Sequence, residues 1–287
     1  MSGMDEAAPQ LKLLLKQLDL DRLDRDLFLG DPGGGEGRLF GGMVAAQSVM
    51  AAYMTVDEGS LHSMHAYFLR PGRHGVPIRF VVYRIRDGRT FTTRDVVAHQ
   101  AGEAIFQVTT SFTKPEEGYE YQEPMPQVLP PDESPGWEWG WKPEVGEEKQ
   151  AERRWMRERP LEIRNAEPDY EKREGETPRR AVWVKMRGPL PDDERIHAAA
   201  IAYASDSGFL ATARHVNAPG RSASASLDHS VWFHYPPRFD DWLLFTSRST
   251  MAHAARALIQ GEMFTREGRR VVSVTQEGLV RRPRESR

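Results

Sequence analysis

The sequence predicts an α+β protein assembled from two copies of one unit, a helix of small residues followed by an antiparallel sheet. Three observations carry this reading. Two Ala-rich helical patterns, 41–56 and 196–210, each precede four strand-like runs. The first strand of each set closes on a matching string, Phe68-Leu69-Arg70-Pro71 and Phe233-His234-Tyr235-Pro236, at a spacing of 165 residues. Gly102 and Gly268 then turn the last hairpin of each set at a spacing of 166. One indel reconciles the two spacings, which is the mark of an internal duplication.

Taken in order, residues 9–20 place Leu11, Leu14, Leu15 and Leu18 on one face of a short amphipathic helix. Residues 19–29 alternate in character and read as an edge strand. The string GDPGGGEG, 30–37, is a loop. No Lys-Ser/Thr follows it and its glycines lack the dinucleotide spacing, which argues against nucleotide binding. Gly41 and Gly42 open a helix whose small residues let it nest against a sheet. Strands follow at 61–69, 78–86, 91–99 and 104–112, with Asp87-Gly88 as a hairpin turn.

Prolines, then Trp137, Trp139 and Trp141, then a charged run fill 114–180, read as a connector with helical content near 150–159. The tryptophans are expected to tuck this segment onto the body. A strand at 181–185 leads to the second helix, 196–210, and then to strands at 226–235, 242–250, 254–264 and 271–279. The expected division is an N-terminal unit over 1–118, a connector over 119–180 and a C-terminal unit over 181–287.

Composition narrows the function. The net charge of −3 gives no basic field for nucleic acid, and the arginine clusters are interleaved with glutamate or lie near the last residue. With no cysteine, disulfides, thiolate-held metals and a cysteine nucleophile are excluded. No run approaches the roughly 20 apolar residues of a membrane span, and the first residues lack the pattern of a secretory signal. These features fit a cytoplasmic protein.

The stretch 196–235 holds the chemistry-bearing candidates. Asp206 sits in an otherwise apolar helical pattern, where a charge is costly unless it is paired or used. The plainer alternative is that it ends or caps a helical turn. A loop with Pro219 and Gly220 then leads to the strand that begins at Ser226.

The strings GGMVAAQ, HSMHAYFLRPG, RDGRTFTTR, AIFQVTTSF, AYASD, SLDHSVWFH, GEMF and VTQEGLVR, in this order, resemble the acyl-CoA thioesterase II family. The resemblance runs from about Leu11 to Arg282 and is weakest over 140–180. It implies a double hot-dog fold and hydrolysis of acyl-CoA to a free fatty acid and CoA. It also implies three residues around one water: Asp206 in AYASD, Gln276 in VTQEG, and Ser226 where the family usually has threonine. A carboxylate, ionised near neutral pH, suits the base, and a hydroxyl and a carboxamide can hold the same water.

Gly41, Gly42 and His62 are assigned to substrate binding, with oxyanion donors sought where the helix opens at Gly41-Gly42. No cofactor is implied. A homodimer or larger homo-oligomer, associated edge to edge, is expected. The first copy has no carboxylate between Leu39 and Val56, and Thr110 stands in the register of Gln276, so one copy is expected to have kept the chemistry. Without the resemblance, Gln276 would read as a polar residue on the solvent face of a strand.

His62, His65, His229 and His234 have no set of partners with metal-ligand spacing and are expected in structural hydrogen bonds. Asp228 is expected on the opposite strand face from Ser226 and in a structural role. Ser226 lacks the elbow of a triad nucleophile. The competing readings are a hot-dog enoyl-CoA hydratase using His197 with Asp206, a non-catalytic acyl-CoA-binding protein, and a scaffold acting through the Trp-rich connector.

Overall fold

The computed structural model describes residues 7–137, 158–170, 177–213 and 224–281. The helices are α1 (Pro9–Leu18), α2 (Gly41–Tyr53) and α3 (Glu194–Ser205). The first unit has strands β1 (Asp21–Asp24), β2 (Leu27–Gly30), β3 (Ser60–Phe68), β4 (Ile78–Asp87), β5 (Phe91–Gln100) and β6 (Glu103–Thr113). The second has β7 (Leu161–Asn165), β8 (Arg179–Met186), β9 (Ser224–Ser226), β10 (Asp228–Phe233), β11 (Leu243–His253), β12 (Arg256–Thr265) and β13 (Arg270–Val280).

All these strands join one 13-stranded sheet in the order β1-β2-β4-β5-β6-β3-β10-β13-β12-β11-β8-β7, with β9 on β13. The order is a palindrome of the two units. At its centre β3 pairs antiparallel with β10, and His65 lies opposite Ser230. Those two residues are themselves separated by the 165-residue repeat spacing, so the pseudo-twofold axis passes between them. This is the double hot-dog arrangement, each sheet half wrapped around one helix.

The helices explain why the sheet curls. From Val44 to Tyr53 every residue of α2 is buried, and α3 is buried from His197 to Ser205. A helix apolar on all sides must be surrounded. Alanine and glycine keep the two helices thin enough to lie side by side. Asp193 caps α3, its carboxylate accepting from the Arg195 N–H at 3.0 Å. Outside this pair, α1 buries Leu11, Leu14 and Leu18. The Ala8 N–H donates to the Arg187 carbonyl at 3.0 Å, tying the first residues to the second unit.

Four expectations change. Residues 19–29 form a hairpin, β1 and β2, rather than one edge strand. The strand expected over 226–235 is broken at Leu227 into β9 and β10. The second helix ends at Ser205, so Asp206 is its C-cap residue rather than an interior one. Within the expected connector, Leu161–Asn165 forms β7, which pairs with β8. Palindromic order makes β7 and β8 the counterparts of β1 and β2, so the second unit begins near Leu161 and not at 181. The helix expected near 150–159, Trp139, Trp141, and the loop with Pro219 and Gly220 lie at least largely outside the described residues. Trp137 packs against the core.

The C-terminus of α2 is fixed by Arg94, 1% exposed. Its guanidinium donates to the Thr55 hydroxyl at 3.0 Å, the Thr55 carbonyl at 3.1 Å and the Arg86 carbonyl at 3.1 Å, and it pairs with Asp87. Arg94→Met is expected to cost about 2–4 kcal/mol in urea denaturation, because several buried acceptors lose their donor at about 1–3 kcal/mol each. Asp87→Asn is expected to cost under about 1 kcal/mol, because Asp87 is 59% exposed and stays solvated.

Candidate active site

The site forms where the C-terminus of α3 meets the N-terminus of α2. Asp206 follows the last turn of α3, and its carboxylate reaches the opening of α2 in the other unit. The backbone N–H of Gly42 favours the ionised form of that carboxylate. A Cβ at Gly41 would sit 3.0 Å from Asp206 Oδ2 and against the Phe68 ring. A Cβ at Gly42 would sit 2.8 Å from the Tyr203 carbonyl oxygen on α3. Both glycines are therefore required by close approach: one admits the carboxylate, the other lets the helices touch.

Asp206 is 9% exposed and lines a cavity of about 1570 Å³. Burial pushes its carboxyl up to about 7, against the pull of Arg159, the Gly42 N–H and Ser226, which all favour the ionised form. An ionised carboxylate at neutral pH was expected from the sequence. Desolvation instead leaves the group close to half-protonated there, with a proton affinity matched to general base chemistry.

From Asp206 a chain of hydrogen bonds runs into the core. Ser226 Oγ donates to Asp206 Oδ1 at 3.5 Å. Gln276 Nε2 donates to Ser226 Oγ at 2.8 Å. Gln276 Oε1 lies 2.7 Å from His229 Nδ1, and His229 Nε2 lies 2.8 Å from Ser205 Oγ. Asp206 and Ser226 line the cavity, whereas Gln276 is fully buried behind Ser226. Strand parity explains the burial, since Gln276 shares the inward face of β13 with Val272 and Val274. The alternative of a solvent-facing Gln276 is thereby excluded.

The structure thus brings Asp206, Ser226 and Gln276 together. Gly41 lines the cavity, and Gly42 is buried at Asp206. The opening of α2, where oxyanion donors were sought, faces the Asp206 carboxylate. His62 is not brought to the site. It is not among the cavity-lining residues, its Nε2 pairs with Ser111 Oγ at 2.8 Å, and its ring rests against Phe91.

Asp228 accepts from the Glu277 N–H at 2.7 Å. Residues two apart on an unbroken strand share a face; the break at Leu227 is what turns Asp228 away from Ser226. His197 lies in the first turn of α3, where its Nδ1 accepts from the Phe239 N–H at 2.9 Å. It is not paired with Asp206. Among the described residues no group of three or more metal-ligating side chains gathers, and no helix is long and apolar enough to cross a membrane.

Known proteins resemble the chain along most of its length. A family described as acyl-CoA thioesterase matches residues 150–279, and the acyl-CoA thioesterase N-terminal domain matches 31–113. The rat protein acyl-coenzyme A thioesterase 8 is 36% identical over 292 residues, spanning 96% of this chain and 91% of the relative. The chain belongs to the acyl-CoA thioesterase family. Acyl-CoA thioesterase 2 of Haemophilus influenzae is 34% identical, over 94% of this chain and 98% of its own length. The crystal structure of acyl-CoA thioesterase II TesB2 from Mycobacterium marinum superposes with a TM-score of 0.78 at 37% identity, covering 94% of this chain and 98% of that one. A hot-dog protein from Alicyclobacillus acidocaldarius, 20% identical, shares the fold with a TM-score of 0.77.

The duplicated position in this family member is informative. Shifts of 165 and 166 place Leu61, Met64 and Thr110 where the second unit has Ser226, His229 and Gln276. Tyr53 ends α2 as Asp206 follows α3, and its hydroxyl donates to Glu194 at the start of α3, at 2.9 Å. The same crossing of helix end onto helix start exists twice, but only at Asp206 does the acid close a helix with a serine, a glutamine and a histidine in line behind it.

Sequence reasoning missed Arg159 and underrated His229. Arg159 lies in the expected connector, 3% exposed, with its guanidinium 4.6 Å from the Phe40 ring centroid and its charge acting on Asp206. No local pattern marks it. His229 carries a readable signal: it falls on the inward face of β10 with Val231 and Phe233. Gly42→Ala is expected to lower stability by about 1–3 kcal/mol in urea denaturation, because the added methyl forces α2 from α3.

Proposed function

We propose that the cavity hydrolyses acyl-CoA thioesters by direct attack of water, with Asp206 as general base. The observation that carries this is a desolvated carboxylate, balanced near pH 7, facing a large cavity beside a hydroxyl that is itself held from behind. The water sits against Asp206 and Ser226. Gln276 acts on it through Ser226, whose oxygen it occupies with an N–H so that the Ser226 proton turns to Asp206.

A thioester carbonyl is electrophilic enough to need no covalent intermediate. Asp206 takes one proton as the water oxygen bonds to the carbonyl carbon. Collapse of the tetrahedral intermediate breaks the C–S bond, and the proton held by Asp206 passes to the departing thiolate. The products are a carboxylic acid and free CoA.

The cavity lining supports this substrate class. Val44, Phe68, Ile105, Phe106 and Leu210 offer apolar surface to an acyl chain, and Arg38, Arg179 and Arg180 offer cationic groups to phosphates. Serine in place of threonine keeps the hydroxyl that accepts from Gln276 and donates to Asp206.

Release of CoA thiol tests the reading, and a chain without cysteine adds no background to a thiol reagent. Asp206→Asn is expected to lower kcat by at least about 1000-fold, a loss at the upper end for one positioned base and its electrostatics. Retained turnover in that variant would overturn the assignment. With the Asp206 carboxyl near 7, kcat/KM is expected to rise with pH and level off above about 8, with the pH 6 value about a tenth of the plateau.

Stability should run the other way. The folded state holds the Asp206 proton more tightly than the unfolded chain, so stability falls as pH rises from about 4 to about 7. Asp206→Asn is therefore expected to be more stable than wild type at pH 8, by a gap that narrows toward pH 5. Thermal denaturation at the two pH values measures it.

A further inference from the structure

We propose that His229 is a positioning residue for this hydrolysis: its Nδ1–H fixes the orientation of the Gln276 amide, which aims the Ser226 proton at Asp206. The proposal rests on the reading of Asp206 and Ser226 given above. It starts from a property of amides. A glutamine side chain fits a site almost equally well in either of two flipped orientations, and only its partners choose between them. Gln276 is fully buried, so no solvent can satisfy a wrong choice.

Two self-consistent directions exist for the chain of hydrogen bonds. In the first, Ser205 donates to His229 Nε2, His229 Nδ1–H donates to Gln276 Oε1, Gln276 Nε2–H donates to Ser226, and Ser226 donates to Asp206. The separations along this path are 2.8, 2.7, 2.8 and 3.5 Å. In the second, every donor is reversed: Ser226 donates to a flipped Gln276, the amide donates to His229 Nδ1, and His229 Nε2–H donates to Ser205. Ser205 then uses the Ala202 carbonyl, 3.0 Å away. In that state Ser226 gives its proton to the core and none to Asp206.

An ionised Asp206 selects the first direction, because it accepts and cannot donate. The choice passes through Ser226 and Gln276 to His229, which needs one N–H and one lone pair to complete either path. Only a neutral imidazole offers both. Burial holds it in that form, with its pKa driven down to about 4. Phe209 rests edge-on to the His229 ring at 6.3 Å between centroids, packing it in the core. In the first unit, where Leu61 replaces the hydroxyl of Ser226, the same position is Met64.

The test uses the full chain. His229→Leu removes both ring nitrogens and is expected to lower kcat by about 10–100-fold with KM within about threefold of wild type. His229→Asn restores an N–H at the place of Nδ1 and is expected to recover about tenfold of the loss. In a Gln276→Ala background, His229→Leu is expected to add less than about threefold, because the residue acts through Gln276. Circular dichroism and Tm establish that each variant is folded.

The wild-type protein supplies an independent readout should His229→Leu fail to fold. Histidine ring 15N shifts at pH 8, assigned by the resonance that His229→Asn removes, are expected to place the His229 proton on Nδ1. A proton on Nε2 would overturn the proposal. So would equal losses from His229→Leu with and without Gln276, or no loss at all. Wild-type protein that releases no CoA would sink the hydrolytic reading itself, whereas active wild type with indifferent His229 variants sinks only this inference.

Discussion

The structure turns on one carboxylate held out of water at the start of a helix that belongs to the other half of the chain. Asp206 closes α3 and reaches the opening of α2, and that contact requires the two helices to lie almost backbone to backbone. The helix opening compensates a buried negative charge through its N–H groups. Arg159 contributes from the segment between the units. Burial opposes them all and outweighs them, so the group titrates near pH 7 rather than standing as a fixed anion.

Duplication gave the molecule two such crossings, and the proposed chemistry lies at one. At the other crossing the carboxylate comes from the helix start instead: Glu194 accepts from the Tyr53 hydroxyl and from Ser60, and no glycine pair opens the way. Leu61 and Met64 fill the strand positions that elsewhere hold Ser226 and His229. The comparison within one chain isolates what function adds to the fold. A buried polar chain is stable only when every member finds its partner, and the active copy meets that demand from Asp206 to Ser205. The first copy has no such chain: Leu61 and Met64 are apolar, and the Thr110 hydroxyl turns to the Arg94 carbonyl.

Much of the fold was legible because repetition made it so. The proline-closed strands and the glycines at 102 and 268 recur in register, and both glycines adopt positive φ, 86° and 89°, as turns of this kind require. The second unit's true beginning was not legible. Leu161 and Ile163 alternate correctly, but five residues amid prolines and charges give too short a period, and β7 exists only because β8 is there to pair with it. Asp206 was visible as a charge in an apolar pattern. Its proton affinity was not, because desolvation comes from residues distant in sequence. The convergence of Ser226 and Gln276 on it was read from family resemblance, since 50 residues and three strands lie between them along the chain. His62 lies at a register shift of β3, and its ring pairs with Ser111 outside the cavity lining.

The site draws on α2, α3, β9, β10 and β13, and β13 follows all the others along the chain. Synthesis therefore delivers the receiving helix first and the strand bearing Gln276 last. Under the proposed mechanism, a growing chain can hold acyl-binding surface long before it can cleave anything. Catalytic competence is then a report that the whole sheet has closed, and a clipped or unfinished chain that lacks β13 is chemically silent toward thioesters.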